Sequence, residues 1–274
     1  MKKLLSLALI FWSFTAVAGK VDTLAIRSQA MNKDIATVVI VPQNYYAAVA
    51  AGKKYPVLYL LHGYSGNHAY WIKAAPFLAT KADELEMIIV CPNGQNSWYF
   101  DAPQNPALRF ETFVANELVT YIDKNFATIP DRSGRAITGL SMGGHGALYL
   151  ATRHQEVYGA AGSMAGGVDF RPFPENWEIK TALGTIKNNP ENWRINTVVH
   201  QVENLKPGKL DLIIDCGQED FFFEVNQQLH KKLNELKIPH DYTVRPGEHN
   251  GEYWTNAIRY QLVFFADYFS KRIR

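Results

Sequence analysis

The sequence predicts an α/β fold: a mainly parallel central sheet with helices on both faces and a small lid-like insertion. Three observations point to it. Apolar, strand-like runs alternate with helix-like stretches along most of the 274 residues, as strands joined by crossover helices do. One run, Arg135-Ala-Ile-Thr-Gly139, passes straight into a glycine-rich turn and a helix-like stretch. The alternation breaks once, over 171–208, where Pro172, Pro174, Pro190, Trp177 and Trp193 are scattered without a clean period. That stretch is expected to pass over the sheet edge as a partial lid, not as a second domain.

The elements follow in order. The chain up to Thr37-Val-Val-Ile-Val41 reads as a pair of edge strands stopped by Pro42. Pro56-Val-Leu-Tyr-Leu-Leu61 reads as a buried strand ending in His62-Gly63, and Met87-Ile-Ile-Val-Cys91 as the next. Helical spacing covers 111–126. A short strand is expected within 159–167. Leu210 to Asp215 restores the strand pattern, followed by a helix over 222–236, a strand over 241–245 and a last helix over 254–270.

Composition supports one full-sized domain: 47% of residues are hydrophobic and 20% charged, with no long charge run. Lys2 and Lys3 precede an apolar run from Leu4 to Phe14 broken only by serine, and Ala16-Val17-Ala18 is a small-x-small cleavage site. Residues 1–18 are therefore expected to be a signal peptide and 19–274 the catalytic domain of an exported, periplasmic or secreted protein. The run is short for a span of about 20 residues, so no stable membrane insertion is expected. Without Lys2 and Lys3, Lys+Arg falls from 28 to 26 and equals the 26 Asp+Glu. Nothing in that balance favours nucleic acid as a partner. Cys91 and Cys216 both sit in apolar strand-like runs and read as small buried thiols.

The chemistry is expected at Gly139-Leu140-Ser141-Met142-Gly143, a G-x-S-x-G match between a strand and a helix. A serine on so sharp a turn crowds the positions two before and two after it, which Gly139 and Gly143 relieve; Gly144 and Gly146 extend the close packing of helix on strand. Two backbone N–H groups are needed to hold an oxyanion. Met142 is expected to supply one. Tyr64, in His62-Gly63-Tyr64-Ser65-Gly66, is expected to supply the other, with Ser65 as the alternative.

Acid and base should follow the serine in chain order. His249, in a glycine-containing loop after the last strand, is the expected base. His230 reads as a solvated helix residue, and His240 starts a strand at the wrong end of the sheet. Asp220, beyond the bend at Gly217, is the expected acid. Asp215 belongs to the strand and reads as structural, and Glu219 as solvated. Trp71, Trp98, Tyr99, Phe221 and Trp254 are candidate substrate contacts, because aromatic faces suit sugars and aryl groups. Glu111, which opens a helical run, reads as a structural partner. No H-E-x-x-H motif or phosphate loop appears, and no metal or cofactor is expected.

Leu61-His62-Gly63, Gly139-Leu140-Ser141-Met142-Gly143-Gly144, Asp215-Cys216-Gly217 with Asp220, and Pro246-Gly247-Glu248-His249 with Trp254 together resemble the esterase D-like family of α/β hydrolases. That family includes S-formylglutathione hydrolases, feruloyl and acetyl-xylan esterases, tributyrin esterases and mycolyltransferases. The resemblance implies the α/β-hydrolase fold and places the strands of Cys91 and Cys216 on opposite sides of the nucleophile strand. With an export signal, it implies a serine carboxylesterase acting on short-chain acyl, acetyl or feruloyl esters of plant polysaccharide fragments. Acyl transfer to a sugar hydroxyl through the same triad is a second reading. A non-catalytic glycan-binding protein on the same scaffold is a third.

Overall fold

The computed structural model describes residues 19–273; the signal peptide expected over 1–18 lies outside them. Eight strands form one sheet: β1 (Lys20–Ser28), β2 (Lys33–Val41), β3 (Val57–Leu61), β4 (Ile88–Pro92), β5 (Arg135–Gly139), β6 (Ala160–Met164), β7 (Asp211–Gly217) and β8 (Asp241–Arg245). Their order across the sheet is β1-β2-β4-β3-β5-β6-β7-β8. β1 and β2 are an antiparallel hairpin, and β2 runs antiparallel to β4. Every other neighbouring pair is parallel. This is the α/β-hydrolase fold.

Alternation along each strand sorts the side chains onto two faces. In β3, Val57, Tyr59 and Leu61 enter one buried cluster, and Leu58 and Leu60 enter the other. Helices over 110–125, Met142–Arg153 and Phe223–Glu235 cover the first face. Leu78–Glu84 and Gly251–Arg272 cover the second. With both faces covered, the central strands must be apolar throughout, which is why they read as continuous runs.

The sequence and the structure differ in detail. The last helix starts at Gly251, not at 254, because the Asn250 carboxamide accepts from the Tyr253 N–H at 3.0 Å and caps it. Residues Phe113–Glu117 form a π-helical stretch inside the 110–125 helix. Three helices in the first third, Tyr45–Ala50, Tyr70–Ala74 and Leu78–Glu84, are too short to show a period. The insertion over 171–208 carries no strand; it folds as Ile179–Leu183, Pro190–Ile195, Val198–Gln201 and a single 3₁₀ turn.

Cys91 on β4 and Cys216 on β7 are buried and free, with β3, β5 and β6 between them. Four strand spacings of about 4.8 Å exceed the roughly 7 Å limit for a disulfide. Burial pushes both thiols up, away from reactivity.

Candidate active site

Ser141 lies between β5 and helix Met142–Arg153 with φ 54° and ψ −118°, a strained backbone for any residue but glycine. The surroundings hold it there. Its N–H donates to Met164 O at 2.9 Å, and its carbonyl accepts from His145 and Gly167 at 3.0 and 3.3 Å. The flanking glycines are obligatory for close approach. A methyl group on Gly139 would lie 2.5 Å from Gly143 O, and one on Gly143 would lie 2.6 Å from His62 O. Gly144 packs against Ser163 and Gly166, whereas Gly146 makes room for the Tyr99 ring and not for a strand.

β5, β7 and β8 deliver three side chains to one end of the sheet. His249 Nε2 is 2.8 Å from Ser141 Oγ, and His249 Nδ1 is 2.7 Å from Asp220 Oδ2. Asp220 is buried, and its Oδ1 accepts from the Phe222 N–H at 2.8 Å. Each carboxylate oxygen therefore has a donor, which stabilises the charge in a buried place. A hydroxyl bonded to an imidazole whose far nitrogen is held by a buried carboxylate is the arrangement that makes a serine nucleophilic.

Neighbouring acids do other work. Asp215 is buried between the Arg245 guanidinium and the Tyr253 hydroxyl, tying β7 to β8 and the last helix. Glu219 is exposed but not idle, as solvation alone would have it. Its N–H donates to Gly247 O at 3.1 Å and its Oε2 accepts from the Gly247 N–H at 2.5 Å, which braces the His249 loop. Glu111 is buried under Tyr149, Arg153 and His154, at 2.9, 2.7 and 2.9 Å.

The Met142 and Tyr64 N–H groups donate to no protein acceptor among the described residues. The Ser65 N–H is taken by Asn96 Oδ1 at 2.8 Å, which removes the alternative oxyanion donor. His62 sets the loop's geometry. Its Nδ1–H donates to Gly63 O at 2.7 Å, and its Nε2 accepts from the Gly94 N–H at 2.8 Å. Gly63 O also accepts from the Gly66 N–H at 3.0 Å. With that carbonyl held twice, the planar peptide turns the Tyr64 N–H the opposite way.

Burial lowers the His62 imidazole pKa to about 4, and that of His145 likewise to about 4. An unfolded-chain histidine titrates near about 6.5. Unfolding therefore takes up protons between those two values, and stability rises with pH across that window. The urea midpoint should fall between about pH 7 and pH 5; an equal or higher midpoint at the lower pH would contradict neutral buried imidazoles. His230 departs from its expected solvation: it is half-buried, 2.7 Å from His240 Nε2 and stacked on Tyr242. Both belong to the end of the sheet opposite Ser141, where β8 begins.

A cavity of about 400 Å³ opens over Ser141, lined by Tyr64, Tyr70, Trp177, Phe221, His249 and Trp254 among others. Phe221 and Trp254 of the expected substrate contacts are on its wall. Three others are not. Trp71 is 1% exposed and donates its Nε1–H to Leu61 O at 3.0 Å. Trp98 is 2% exposed and packs on His145 and Phe170. Tyr99 is fully buried in the hollow above Gly94 and Gly146, its hydroxyl donating to His62 O at 3.1 Å. These three are scaffold, not pocket wall. The wall residue that sequence reasoning missed is Trp177, whose ring stacks on Phe221 at 5.7 Å and 21°. Next to it, Glu178 accepts a hydrogen bond from the Tyr64 hydroxyl at 2.9 Å. Proximity to the scattered prolines was the one signal available for it.

A mostly parallel sheet with a serine at the turn after β5, and histidine and aspartate after β8 and β7, defines an α/β hydrolase. The chain belongs to the esterase family described as "Putative esterase", which matches residues 28–265. Ester hydrolysis is accordingly its class of activity. It is 24% identical over 219 residues to an acetyl esterase of Caldicellulosiruptor saccharolyticus, covering 73% of this chain and 79% of that protein. It is 27% identical over 243 residues to an esterase of Mycobacterium tuberculosis, covering 77% of this chain but only 51% of that protein. Among solved structures, a ferulic acid esterase superposes with a TM-score of 0.78 at 30% identity, over 92% of this chain and 99% of that one.

Proposed function

We propose that this protein is an exported serine carboxylesterase that removes short acyl or feruloyl groups from carbohydrate hydroxyls through an acyl-enzyme. The observation that carries the reading is the unbroken relay from Ser141 through His249 to Asp220 beneath an aromatic cavity. His249 Nε2 takes the Ser141 proton as Oγ attacks the ester carbonyl. The Met142 and Tyr64 N–H groups receive the oxyanion. His249 then hands its proton to the departing alcohol, leaving Ser141 acylated. Water, activated by the same imidazole, attacks the acyl-enzyme, and the acid is released. Asp220 holds the Nδ1–H tautomer and stabilises the imidazolium in both halves. The relatives named acetyl esterase and ferulic acid esterase support the acyl range.

Selectivity rests on the pocket walls, since the oxyanion donors are indifferent to the acyl group. One methylene changes discrimination by only about 10- to 200-fold, so a graded preference is expected. The measurement is kcat/KM on p-nitrophenyl esters of rising chain length, beside methyl ferulate and acetylated xylo-oligosaccharides. Highest values at short chains, with turnover of at least one carbohydrate-type substrate, are expected. A steady rise through decanoate with neither turned over would mean a lipase-like enzyme. Mass spectrometry of exported material tests the leader: the expected amino terminus is Gly19, within a residue or two.

A further inference from the structure

The aromatic wall of the cavity over Ser141 divides into two arms. Phe221 and Trp177 form the first. Phe221 lies 4.2 Å from the His249 ring and carries Trp177 stacked on it. The Tyr64–Glu178 hydrogen bond ties the insertion to the loop after β3 across this side. Tyr70 and Trp254 form the second arm, with Trp254 edge-on to His249 at 4.9 Å.

Both rings of the second arm stand on helices, and the same two helices line a separate surface groove of about 490 Å³ formed by Ala74, Gly251, Glu252, Thr255, Asn256 and Arg259. Tyr70 and Ala74 stand one turn apart on the first helix, as Gly251 and Thr255 do on the second, so each pair shares a face. The helices nearly touch here: a methyl group on Gly251 would lie 3.8 Å from the Tyr70 hydroxyl, and Thr255 Oγ1 is 3.5 Å from Ala74 O. Glu252, Asn256 and Arg259 follow at i, i+4 and i+7, which sets them in one row. None of the three has a side-chain hydrogen bond or ion pair among the described residues. The Arg259 guanidinium is backed by the Phe77 ring at 3.7 Å, which holds it flat beside the groove. The Trp254 Nε1–H is buried with no acceptor among the described residues.

We infer that this groove is a leaving-group subsite for a hydroxyl-rich oligosaccharide, with Trp254 at its entrance and Asn256 and Arg259 along it. The inference rests on the carbohydrate-ester reading and adds direction to it. An ester of a polymer has a small acyl part and an alcohol part that must extend beyond the enzyme. The arm bridged by Tyr64 and Glu178 is placed for the first, and the groove along the helix beyond Trp254 is placed for the second. His249, which protonates the departing alcohol, borders both arms. A row of amide, carboxylate and guanidinium beside aromatic rings offers donors and acceptors suited to sugar hydroxyls and stacking surface suited to sugar faces.

The test compares two substrates with the same acyl group, a feruloylated or acetylated xylo-oligosaccharide and the corresponding methyl ester, on wild type, Arg259→Ala and Asn256→Ala. Both changes put a good helix former on an exposed helix position, and thermal melts check that the fold survives. For each variant, the ratio of oligosaccharide-ester KM to methyl-ester KM should rise about tenfold, the loss of one good hydrogen bond. Adding free xylo-oligosaccharide should inhibit wild type competitively and inhibit Arg259→Ala more weakly. If wild type turns over the oligosaccharide ester but neither ratio moves, the subsite is wrong and the carbohydrate-ester reading stands. If wild type cleaves methyl and p-nitrophenyl esters but no carbohydrate ester, both fall.

Discussion

Ser141→Ala should lower kcat for any ester by about 10⁶-fold, the usual cost of losing the nucleophile of a triad. The residual rate should stay above that of water, because the free Met142 and Tyr64 amides and the pocket still bind the substrate. Folding should survive. Alanine keeps the Cβ, and the backbone bonds to Met164, His145 and Gly167 that hold φ at 54° involve no serine hydroxyl. Steady-state kinetics on a p-nitrophenyl ester, with a thermal melt of the same preparation, is the measurement. A cleanly purified variant retaining more than a few per cent of activity would remove Ser141 from the mechanism. Fluorophosphonate labelling of wild type, and none of the variant, is expected alongside.

Asp220→Asn and Asp215→Asn should have opposite consequences, although the two residues lie only five positions apart in the chain. Asp220 faces His249 Nδ1 at 2.7 Å. An amide there favours the wrong imidazole tautomer, and kcat should drop by about 10⁴-fold with little loss of stability. Asp215 faces Arg245 and Tyr253 instead. Its replacement leaves a guanidinium poorly paired at a buried site and should cost on the order of 3 kcal/mol, read as a lower urea midpoint with kcat nearly unchanged. A well-folded Asp215→Asn enzyme without activity, beside an active Asp220→Asn enzyme, would reverse the assignment of the acid.

Much of the architecture was legible because it is written locally. Strands buried on both faces must be mainly apolar along their length, so five of the eight, β3 to β7, stood out as runs bounded by turns or helices. The sharp turn at Ser141 needs small residues on either side for steric reasons alone, and Gly139 and Gly143 supply them. The chain order of serine, acid and histidine left few candidates, and the structure brings together the three that order and loop position selected. The short helices before β4 left no mark, since one or two turns carry no measurable period.

The walls of the pocket were another matter. Aromatic composition nominated Trp71, Trp98 and Tyr99 on the same footing as Phe221 and Trp254, yet the first three are core and Phe221 is 50% exposed. The same composition left out Trp177, which reaches the cavity from the insertion. Whether a ring is core or wall depends on what lies over it: β3 and the Leu61 carbonyl beside Trp71, Phe170 and His145 around Trp98, open space above Phe221. Those neighbours come from distant parts of the chain. Residue type and spacing therefore determined the strands, the serine turn and the order of its partners, while tertiary packing decided which aromatics line the cavity over Ser141 and which are core.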